Sequence, residues 1–325
     1  MNKFLIIQTA FIGDVILTTP LIEQLYESYS NCQIDVLVRK GNENLLTGHP
    51  KINRLYVLDK SQHKYRNVFR MVKILRKTKY QRVINLQRFF TTGLISLFLR
   101  AHEKAGFRKN PFSFAYKIKA SHEIGNGRHE VARNLDLIRD IVDADLKRPV
   151  LYPTHKDYER VKEYIQQPYI CIAPTSVWYT KQYPADKWVD FIQNLSSDLN
   201  IYLLGGPGDA EACQVIADRV SQKRIFNLAG TFSLKQTAAL MKNSRMNYVN
   251  DSAPLHLASA MNAPVTAIFC STVPHFGFYP LSDHSVIVET NEDLECRPCG
   301  LHGYRQCPLG HFKCARTIQT NQLLK

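Results

Sequence analysis

The sequence lacks any long apolar run. Its longest candidate, Gly93–Leu99, is far shorter than the roughly 18 residues that a membrane-spanning helix needs, and it fits a short helix or strand. The N-terminus also lacks the cleavage pattern of a signal peptide, because Met1–Gln8 contains one lysine and leads directly into a strand-like segment. We therefore expect a cytoplasmic protein.

Two glycine-containing turns lack the spacing of the dinucleotide-binding fingerprint. Thr9–Asp14 contains a single glycine, and Gly205–Gly208 reads Gly-Gly-Pro-Gly. The fingerprint instead spaces three glycines across one turn between a strand and a helix. Neither turn therefore predicts a dinucleotide site.

Acidic residues are scarce in the first half of the chain. Residues 1–150 contain 26 Lys and Arg against 13 Asp and Glu, whereas residues 151–325 contain 16 against 15. Almost all of the net charge of +14 therefore lies in the first half. This asymmetry indicates a polyanionic partner, which could be nucleic acid, an anionic membrane surface or an acidic substrate. A basic surface that only keeps the protein soluble is the alternative.

The length of 325 residues predicts two domains, each large enough for its own core. Predicted strands and helices alternate along both halves, which is typical of doubly wound α/β domains with parallel sheets. The proline-containing segment Asp143–Lys156 separates the two series. We place the domains at residues 1–150 and 151–325.

The stretch Asn250–Pro274 predicts one strand-helix-strand unit. Asn-Asp-Ser follows a predicted strand and can satisfy the free N–H groups of a helix whose first turn contains Pro254. A second strand, Val265–Phe269, leads into Cys-Ser-Thr. The start of such a helix lies at the carboxyl edge of a parallel sheet, where anions and nucleotides bind. An ordinary capped helix is the alternative.

Further polar residues follow predicted strands in both halves. Gly13 and Asp14 follow the first strand, where Gly13 allows close backbone approach and Asp14 is either a helix cap or a functional carboxylate. In the second half, Thr175, Ser176 and Lys181 could bind a diphosphate. A carboxylate a few residues after the glycine-rich turn, Asp209 or Glu211, could bind ribose hydroxyls.

Cations and aromatic residues are interleaved between residues 88 and 119. This composition suits a phosphorylated glycolipid, and it would equally suit RNA. Most of the aromatic residues are expected in the core. The cations are Arg88, Arg100, Lys104, Arg108, Lys109, Lys117 and Lys119.

Four of the eight cysteines lie in the last 30 residues, as Cys296, Cys299, Cys307 and Cys314. In a cytosolic chain such thiols are more often reduced or metal-bound than disulfide-bonded. The spacing of the second pair is too wide for an ordinary zinc ribbon. We favour a reduced structural loop and keep structural zinc at these four residues as the alternative.

Taken in order, these motifs resemble glycosyltransferase family 9, which contains the heptosyltransferases of the lipopolysaccharide inner core. The resemblance rests on Asn250-Asp251-Ser252-x-Pro254-x-His256 with Phe269-x-Ser271-Thr272-x-Pro274, on Gly13-Asp14, on Lys181-Gln182-Tyr183-Pro184 and on the cysteine-rich tail. Ala253 and Ser271 depart from the family pattern, which usually has glycine at the first position and a Gly-Pro pair before the threonine.

The resemblance implies the GT-B arrangement, with two doubly wound Rossmann-like domains facing a cleft. It implies inverting transfer of a heptose from ADP-heptose to the inner core (Kdo/heptose) of lipopolysaccharide, with Asp14 as general base and Lys181 stabilising the leaving ADP. The implied donor-binding residues are Thr175, Ser176, Glu211, Asp251, Ser252, His256 and Thr272. The implied acceptor-binding residues are Gly13, Arg88, Arg108 and Lys109.

No cofactor is expected, because ADP-heptose is a co-substrate and cations with the helix dipole replace a metal. The expected partners are the nucleotide sugar, a phosphorylated lipid A/Kdo glycolipid and the cytoplasmic face of the inner membrane, with no nucleic acid. Two alternatives remain: a transferase of the same fold with another nucleotide-sugar donor, and a non-catalytic nucleotide- or RNA-binding protein.

Overall fold

A computed structural model describes residues 2–195, 198–221 and 224–324. The chain forms two compact units: unit 1 contains Met1–Ile124 with Arg128–Tyr152, and unit 2 contains Gly125–Gly127 with Pro153–Lys325. Each unit has one six-stranded sheet whose neighbouring strands are all parallel. The prediction of two doubly wound α/β domains is therefore confirmed.

In unit 1 the strand order is β3-β2-β1-β4-β5-β6. The order changes direction between β1 and β4, so the carboxyl ends of these two strands flank the place where ligands bind in open α/β sheets. The strands are β1 (Lys3–Gln8), β2 (Gln33–Arg39), β3 (Arg54–Leu58), β4 (Tyr80–Asn85), β5 (Ala101–Phe107) and β6 (Ile118–Ala120). The helices are α1 (Ile12–Ile16), α2 (Thr19–Ser28), α3 (Glu43–Leu46), α4 (Lys64–Leu75), α5 (Phe90–Phe98) and α6 (Glu130–Leu135).

In unit 2 the order is β12-β11-β10-β7-β8-β9, and the change of direction lies between β10 and β7. The strands are β7 (Tyr169–Ala173), β8 (Asn200–Leu203), β9 (Arg224–Asn227), β10 (Asn247–Asn250), β11 (Val265–Phe269) and β12 (Ser285–Glu289). The helices are α7 (His155–Val161), α8 (Ala185–Gln193), α9 (Ala210–Asp218), α10 (Leu234–Lys242), α11 (Ala253–Ala260) and α12 (Lys313–Arg316).

The buried apolar strands form the centre of each unit. All five residues of β7 and all five of β11 are buried, as are Phe4, Leu5, Ile6 and Ile7 of β1. Burial on both faces explains why these strands are continuous apolar runs. Among the described residues, no helix combines the length and the hydropathy that crossing a membrane requires.

The structure differs from the sequence prediction in several elements. The sequence predicts a helix over residues 15–29 that is kinked at Pro20 or restarts there with Thr19 as cap. The structure has the restart: α1 ends at Ile16, and α2 begins one residue earlier than that cap implies, with Thr18 at the cap position and Pro20 in its first turn, where the missing N–H is tolerated. The helix expected from His129 ends already at Leu135. Strands β5, β6 and β12 were not predicted.

Candidate active-site residues

Three polar side chains from separate loops meet at the carboxyl edge of the unit 2 sheet. The ammonium of Lys181 lies 2.7 Å from Oδ2 of Asp251, and the hydroxyl of Thr272 donates to the same oxygen at 2.6 Å. Lys181 follows β7, Asp251 follows β10 and Thr272 follows β11. Asp251 and Thr272 are buried, and Lys181 is mostly buried. The structure thus brings together three residues that the sequence had predicted.

The fully buried Asn250 fixes the position of these loops. Its side-chain amide donates to the carbonyl of Pro174 at 2.8 Å, and its Oδ1 accepts the backbone N–H of Tyr183 at 2.9 Å. This one side chain therefore links the end of β10 to both sides of the loop that carries Lys181. The sequence had suggested only a capping role for Asn250.

The start of α11 is not closed by the capping contacts expected from Asn-Asp-Ser. The hydroxyl of Ser252 donates to the carbonyl of Asn250 at 3.4 Å, and no side chain of the described chain caps the helix. The carboxylate of Asp251 is engaged by Lys181 and Thr272 instead. The side-chain cap expected at Ser252 is therefore not formed, and the backbone N–H groups of Ser252 and Ala253 can receive an anion.

The other expected donor-binding residues in the turns after β7 and β8 differ in their exposure and in their hydrogen bonds. Thr175 and Ser176 are half-buried, and their hydroxyls make no hydrogen bond within the described residues. Glu211 is exposed near the start of α9. The other candidate carboxylate, Asp209, instead accepts the backbone N–H of Gly206 at 2.7 Å and stabilises the turn in which it lies. The structure therefore favours Glu211 over Asp209 as the carboxylate available to a ligand.

His256 lies further along α11. Its side chain is buried, and its ring meets that of Phe278 edge to face with centroids 6.5 Å apart. The hydrogen-bonded group of Lys181, Asp251 and Thr272 forms without it.

The cysteine-rich tail packs against the turns that follow β7 and β11. Arg297 donates to the carbonyls of Cys270 at 2.7 Å and Thr272 at 2.8 Å and to Glu289 at 2.6 Å. The backbone N–H of Tyr304 donates to the hydroxyl of Thr180 at 2.8 Å, next to Lys181. The tail therefore holds two turns of the Lys181–Asp251–Thr272 group in place. Its residues are separated from those turns in sequence, so no local pattern revealed these contacts.

The tail cysteines are free thiols. Burial and the neighbouring thiols Cys296 and Cys307 raise the pKa of Cys299, and burial is the main cause that raises the pKa of Cys314 to about 12. Within residues 2–195, 198–221 and 224–324, no group of three or more His, Cys, Asp or Glu side chains is arranged to hold a metal ion. The zinc alternative therefore gains no support from the geometry.

Asp14 belongs to the first turn of α1 in unit 1. Phe11 occupies the cap position, and Oδ2 of Asp14 accepts the Phe11 backbone N–H at 3.2 Å, so the carboxylate makes a helix-capping contact as one of the two sequence interpretations expected. Desolvation of the half-buried side chain, followed by the charge of Glu130, raises the pKa of Asp14 to about 7, against the opposing effect of Arg88. The adjacent Gly13 has helical backbone geometry in α1.

Glu130 is part of a buried charged network in α6. Its carboxylate lies 2.9 Å from Nε2 of His122 and accepts Nε–H of Arg133 at 2.8 Å. Burial acts to raise the pKa of Glu130, but the hydrogen bond and charge of His122 and the charge of Arg133 outweigh it and lower the pKa. The carboxylate thus remains ionised and acts on Asp14 as a fixed negative charge.

The sequence analysis missed Lys60, which follows β3. Its ammonium donates to the hydroxyl of Thr9 at 2.7 Å and to the Thr9 carbonyl at 3.3 Å. Burial, then the nearby charges of Arg39 and Lys64, lowers the pKa of Lys60 to about 8. A buried cation among other cations is suited to an anionic ligand. The sequence feature that could have identified Lys60 is its position directly after a predicted strand.

The cations between residues 88 and 119 differ in their exposure and in their partners within the protein. Arg88 is half-buried at the carboxyl end of β4, and Arg108 and Lys109 are exposed after β5. By contrast, the ammonium of Lys104 donates to the carbonyl of Leu97 at 2.7 Å, and Lys117 pairs with Glu103. Lys104 and Lys117, which the sequence placed on the basic surface, therefore each have a partner within the protein, and the Lys117 side chain remains 71% exposed.

Comparison with known proteins identifies the family of this chain. The family model described as glycosyltransferase family 9 (heptosyltransferase) matches residues 68–308. The chain is similar to lipopolysaccharide heptosyltransferase 3 of Escherichia coli, with 27% identity over 298 residues that cover 85% of each protein.

Solved structures share the fold along almost the whole chain. A family 9 glycosyltransferase from Veillonella parvula has a TM-score of 0.84 at 20% identity, covering 99% of this chain and 95% of that one. The E. coli ADP-heptose lipopolysaccharide heptosyltransferase II has a TM-score of 0.81 at 20% identity, covering 99% and 96%. With the family model spanning most of its length, this chain belongs to glycosyltransferase family 9 (heptosyltransferase) and is a glycosyltransferase.

Proposed function

We propose that this glycosyltransferase transfers a heptose from ADP-heptose to an inner-core sugar of lipopolysaccharide, with inversion at the anomeric carbon. The observation that carries the proposal is the Lys181–Asp251–Thr272 group at the carboxyl edge of the unit 2 sheet. The names of the similar E. coli proteins, which refer to lipopolysaccharide and to ADP-heptose, support the choice of substrates.

The donor diphosphate would bind in unit 2. Lys181 supplies a positive charge, the hydroxyls of Thr175 and Ser176 supply directional donors, and the backbone N–H groups of Ser252 and Ala253 at the start of α11 complete the site. Glu211 would accept the ribose hydroxyls. Because negative charge grows on the leaving ADP, these donors stabilise the transition state more than the bound donor sugar.

Asp14 would take the proton from the acceptor hydroxyl as that oxygen attacks the anomeric carbon. A general base works best when its pKa lies near the working pH, and the pKa of Asp14 is raised to about 7. Burial produces most of this increase, and the negative charge of Glu130 adds to it. The backbone N–H groups of Phe11 and Asp14 and, to a smaller extent, the charge of Arg88 act in the opposite direction and lower the pKa.

Unit 1 would bind the acceptor, a phosphorylated lipid A/Kdo glycolipid. The cations Arg88, Arg108, Lys109 and the newly recognised Lys60 are placed after β4, β5 and β3, at one edge of the sheet. They can bind phosphate and carboxylate groups of this acceptor, and no nucleic-acid partner is needed to account for them. Such an acceptor would place the enzyme at the cytoplasmic face of the inner membrane.

Nucleotide release tests this proposal directly. Purified protein is incubated with ADP-heptose, ADP-glucose or UDP-sugars, each with and without the core glycolipid. We expect acceptor-dependent release of ADP from ADP-heptose and much slower release from the other donors. Faster turnover of another nucleotide sugar would instead assign a different donor to the same fold. No release from any donor would favour a non-catalytic binding protein.

A further inference from the structure

Four phenylalanines form an aromatic patch on unit 1, next to the carboxyl end of β4. Phe89, Phe90 and Phe114 are 62%, 53% and 71% exposed. The ring of Phe112 joins them, with centroid distances of 5.1 Å to Phe90 and 6.1 Å to Phe114. The rings of Phe90, Phe112 and Phe114 thus form a contiguous group, Phe89 directly precedes Phe90, and such clustered exposure of apolar surface marks an interaction surface.

The aromatic patch is held by buried polar contacts. Asn110 is 2% exposed, and its amide donates to the carbonyls of Gln87 at 2.9 Å and Phe89 at 3.2 Å. Its Oδ1 accepts the backbone N–H of Phe112 at 2.9 Å. A side chain at Gly93 would approach this oxygen to 2.2 Å, so the close packing requires glycine there. The two loops that carry the rings are therefore fixed to each other.

Cations border the aromatic patch. Arg108 and Lys109 directly precede Asn110, and both are exposed. Neither forms an ion pair with a carboxylate among the described residues. Exposed phenylalanines on a membrane-binding face insert at the boundary of the headgroups and acyl chains, and unpaired cations are attracted to anionic lipids. The combination therefore matches a peripheral membrane-binding surface better than a neutral protein partner.

We propose that the aromatic patch docks unit 1 on an anionic bilayer, with the phenylalanine rings at the boundary of headgroups and acyl chains and with Arg108 and Lys109 facing the phosphates of that surface, those of the membrane-bound acceptor included. The inference rests on the proposed function, because it assumes an acceptor anchored in a membrane. Continuity supports it: Arg88, placed in the acceptor site, directly precedes Phe89. The patch thus adjoins the site that would receive a lipid-linked sugar.

Vesicle co-sedimentation tests the docking without any assay of catalysis. The triple variant F89S/F90S/F114S is compared with wild type and with Phe226→Ser, which removes a 45% exposed phenylalanine from β9 of unit 2. We expect wild type and Phe226→Ser to bind vesicles containing phosphatidylglycerol and to bind pure phosphatidylcholine far less. The triple variant, checked for an unchanged melting temperature, should bind at least about tenfold more weakly, since interfacial binding scales with buried apolar area.

Two binding results would overturn the inference. The first is that the wild-type protein does not bind vesicles containing phosphatidylglycerol. The second is that the triple variant binds these vesicles as well as the wild type does. Loss of single-stranded RNA binding by the triple variant, with vesicle binding unchanged, would reassign the aromatic patch to a nucleic acid.

Activity on two acceptors separates this inference from the proposed function. The triple variant should transfer heptose to a deacylated, water-soluble acceptor within about twofold of the wild-type kcat/KM, but be severely impaired on the same glycolipid in vesicles. Equal loss on both acceptors would overturn the docking role. If wild type transfers heptose to neither, the proposed function fails, while the vesicle-binding result still decides what the patch does.

Discussion

The ammonium of Lys181 lies 2.7 Å from Oδ2 of Asp251, an oxygen that also accepts the hydroxyl of Thr272. The carboxylate holds the lysine in one place before any ligand binds, which reduces the side-chain entropy lost on binding a diphosphate. It also neutralises much of the lysine charge. A phosphate therefore adds to an existing pair, and removing either partner leaves the other buried without compensation.

Lys181→Ala should weaken ADP binding and also slow turnover, because the lysine contacts the diphosphate in both the bound and the transition states. The variant should lose about 1–3 kcal/mol of unfolding free energy, since Asp251 is left buried without its cation. Titration calorimetry and thermal unfolding measure the two effects. The double variant with Asp251→Asn should recover part of the stability and none of the ADP affinity. Unchanged ADP affinity in Lys181→Ala would remove the lysine from the donor site.

The pH dependence of turnover should follow the pKa of Asp14, which is raised to about 7. The rate should rise with pH through about 7 and reach a plateau above it, since only the ionised carboxylate can accept the proton. Glu130→Gln removes a negative charge that raises the pKa of Asp14, so the rising limb should move to lower pH. A pH profile of kcat/KM checks both, and a limb unchanged by Glu130→Gln would contradict the electrostatic coupling.

Stability should show the opposite trend with pH. A carboxyl whose pKa is raised by folding contributes stability below its unfolded value near 4, and that contribution is lost as pH rises through about 7. Asp14→Asn cannot ionise, so its melting temperature relative to wild type should increase from pH 4 to pH 8. A difference that stays constant over this range would show that folding does not shift the pKa of Asp14.

Reversing the exposed cations after β5 tests the acceptor assignment. R108E/K109E should raise the KM for the acceptor severalfold and leave the KM for the donor nearly unchanged, because these cations contribute uniform binding. Higher salt should reproduce the effect, since exposed charges are screened beyond roughly 8–10 Å at ordinary ionic strength. The matched control R219E/R245E reverses two exposed cations of unit 2. Equal damage to donor binding by R108E/K109E would show that the acceptor assignment is wrong.

The tail cysteines should be reduced and free of metal in purified protein. Elemental analysis should give far less than one zinc per chain, and thiol titration after unfolding should detect all eight cysteines. Near-stoichiometric zinc that is lost in Cys299→Ser would instead restore the metal alternative.

The sequence predicted the buried strands well because burial leaves an unbroken apolar pattern. The strands predicted at Tyr169–Ala173 and Val265–Phe269 have the same bounds in the structure, as β7 and β11. Strand β5 was missed because His102, Glu103 and Lys104 interrupt its apolar residues, and β12 was missed although Val286, Ile287 and Val288 are apolar. Those two strands lie towards the outside of their sheets, where fewer residues are buried on both faces.

The residues of the site could be predicted from the sequence, but most of the contacts between them could not. The motifs predicted Lys181, Asp251 and Thr272 as members of the site. The hydrogen bond of Thr272 to Oδ2 of Asp251 depends on the parallel pairing of β10 and β11, which places Asn250 beside Ile268 and aligns the two turns that follow these strands. The role of Arg297 could not be inferred, since it contacts carbonyls about 25 residues earlier through the folded tail. Hydrogen bonds between distant loops leave no periodic trace in a sequence.

The most direct test of the account is acceptor-dependent release of ADP from ADP-heptose by wild type and Asp14→Asn, with ADP affinity measured on the same preparations. Asparagine keeps the size of the side chain and can accept the Phe11 N–H, but it cannot take a proton. We predict that kcat falls by roughly 10²–10⁴ while ADP affinity is unchanged. An Asp14→Asn variant that turns over like wild type would contradict the assignment of Asp14 as the general base.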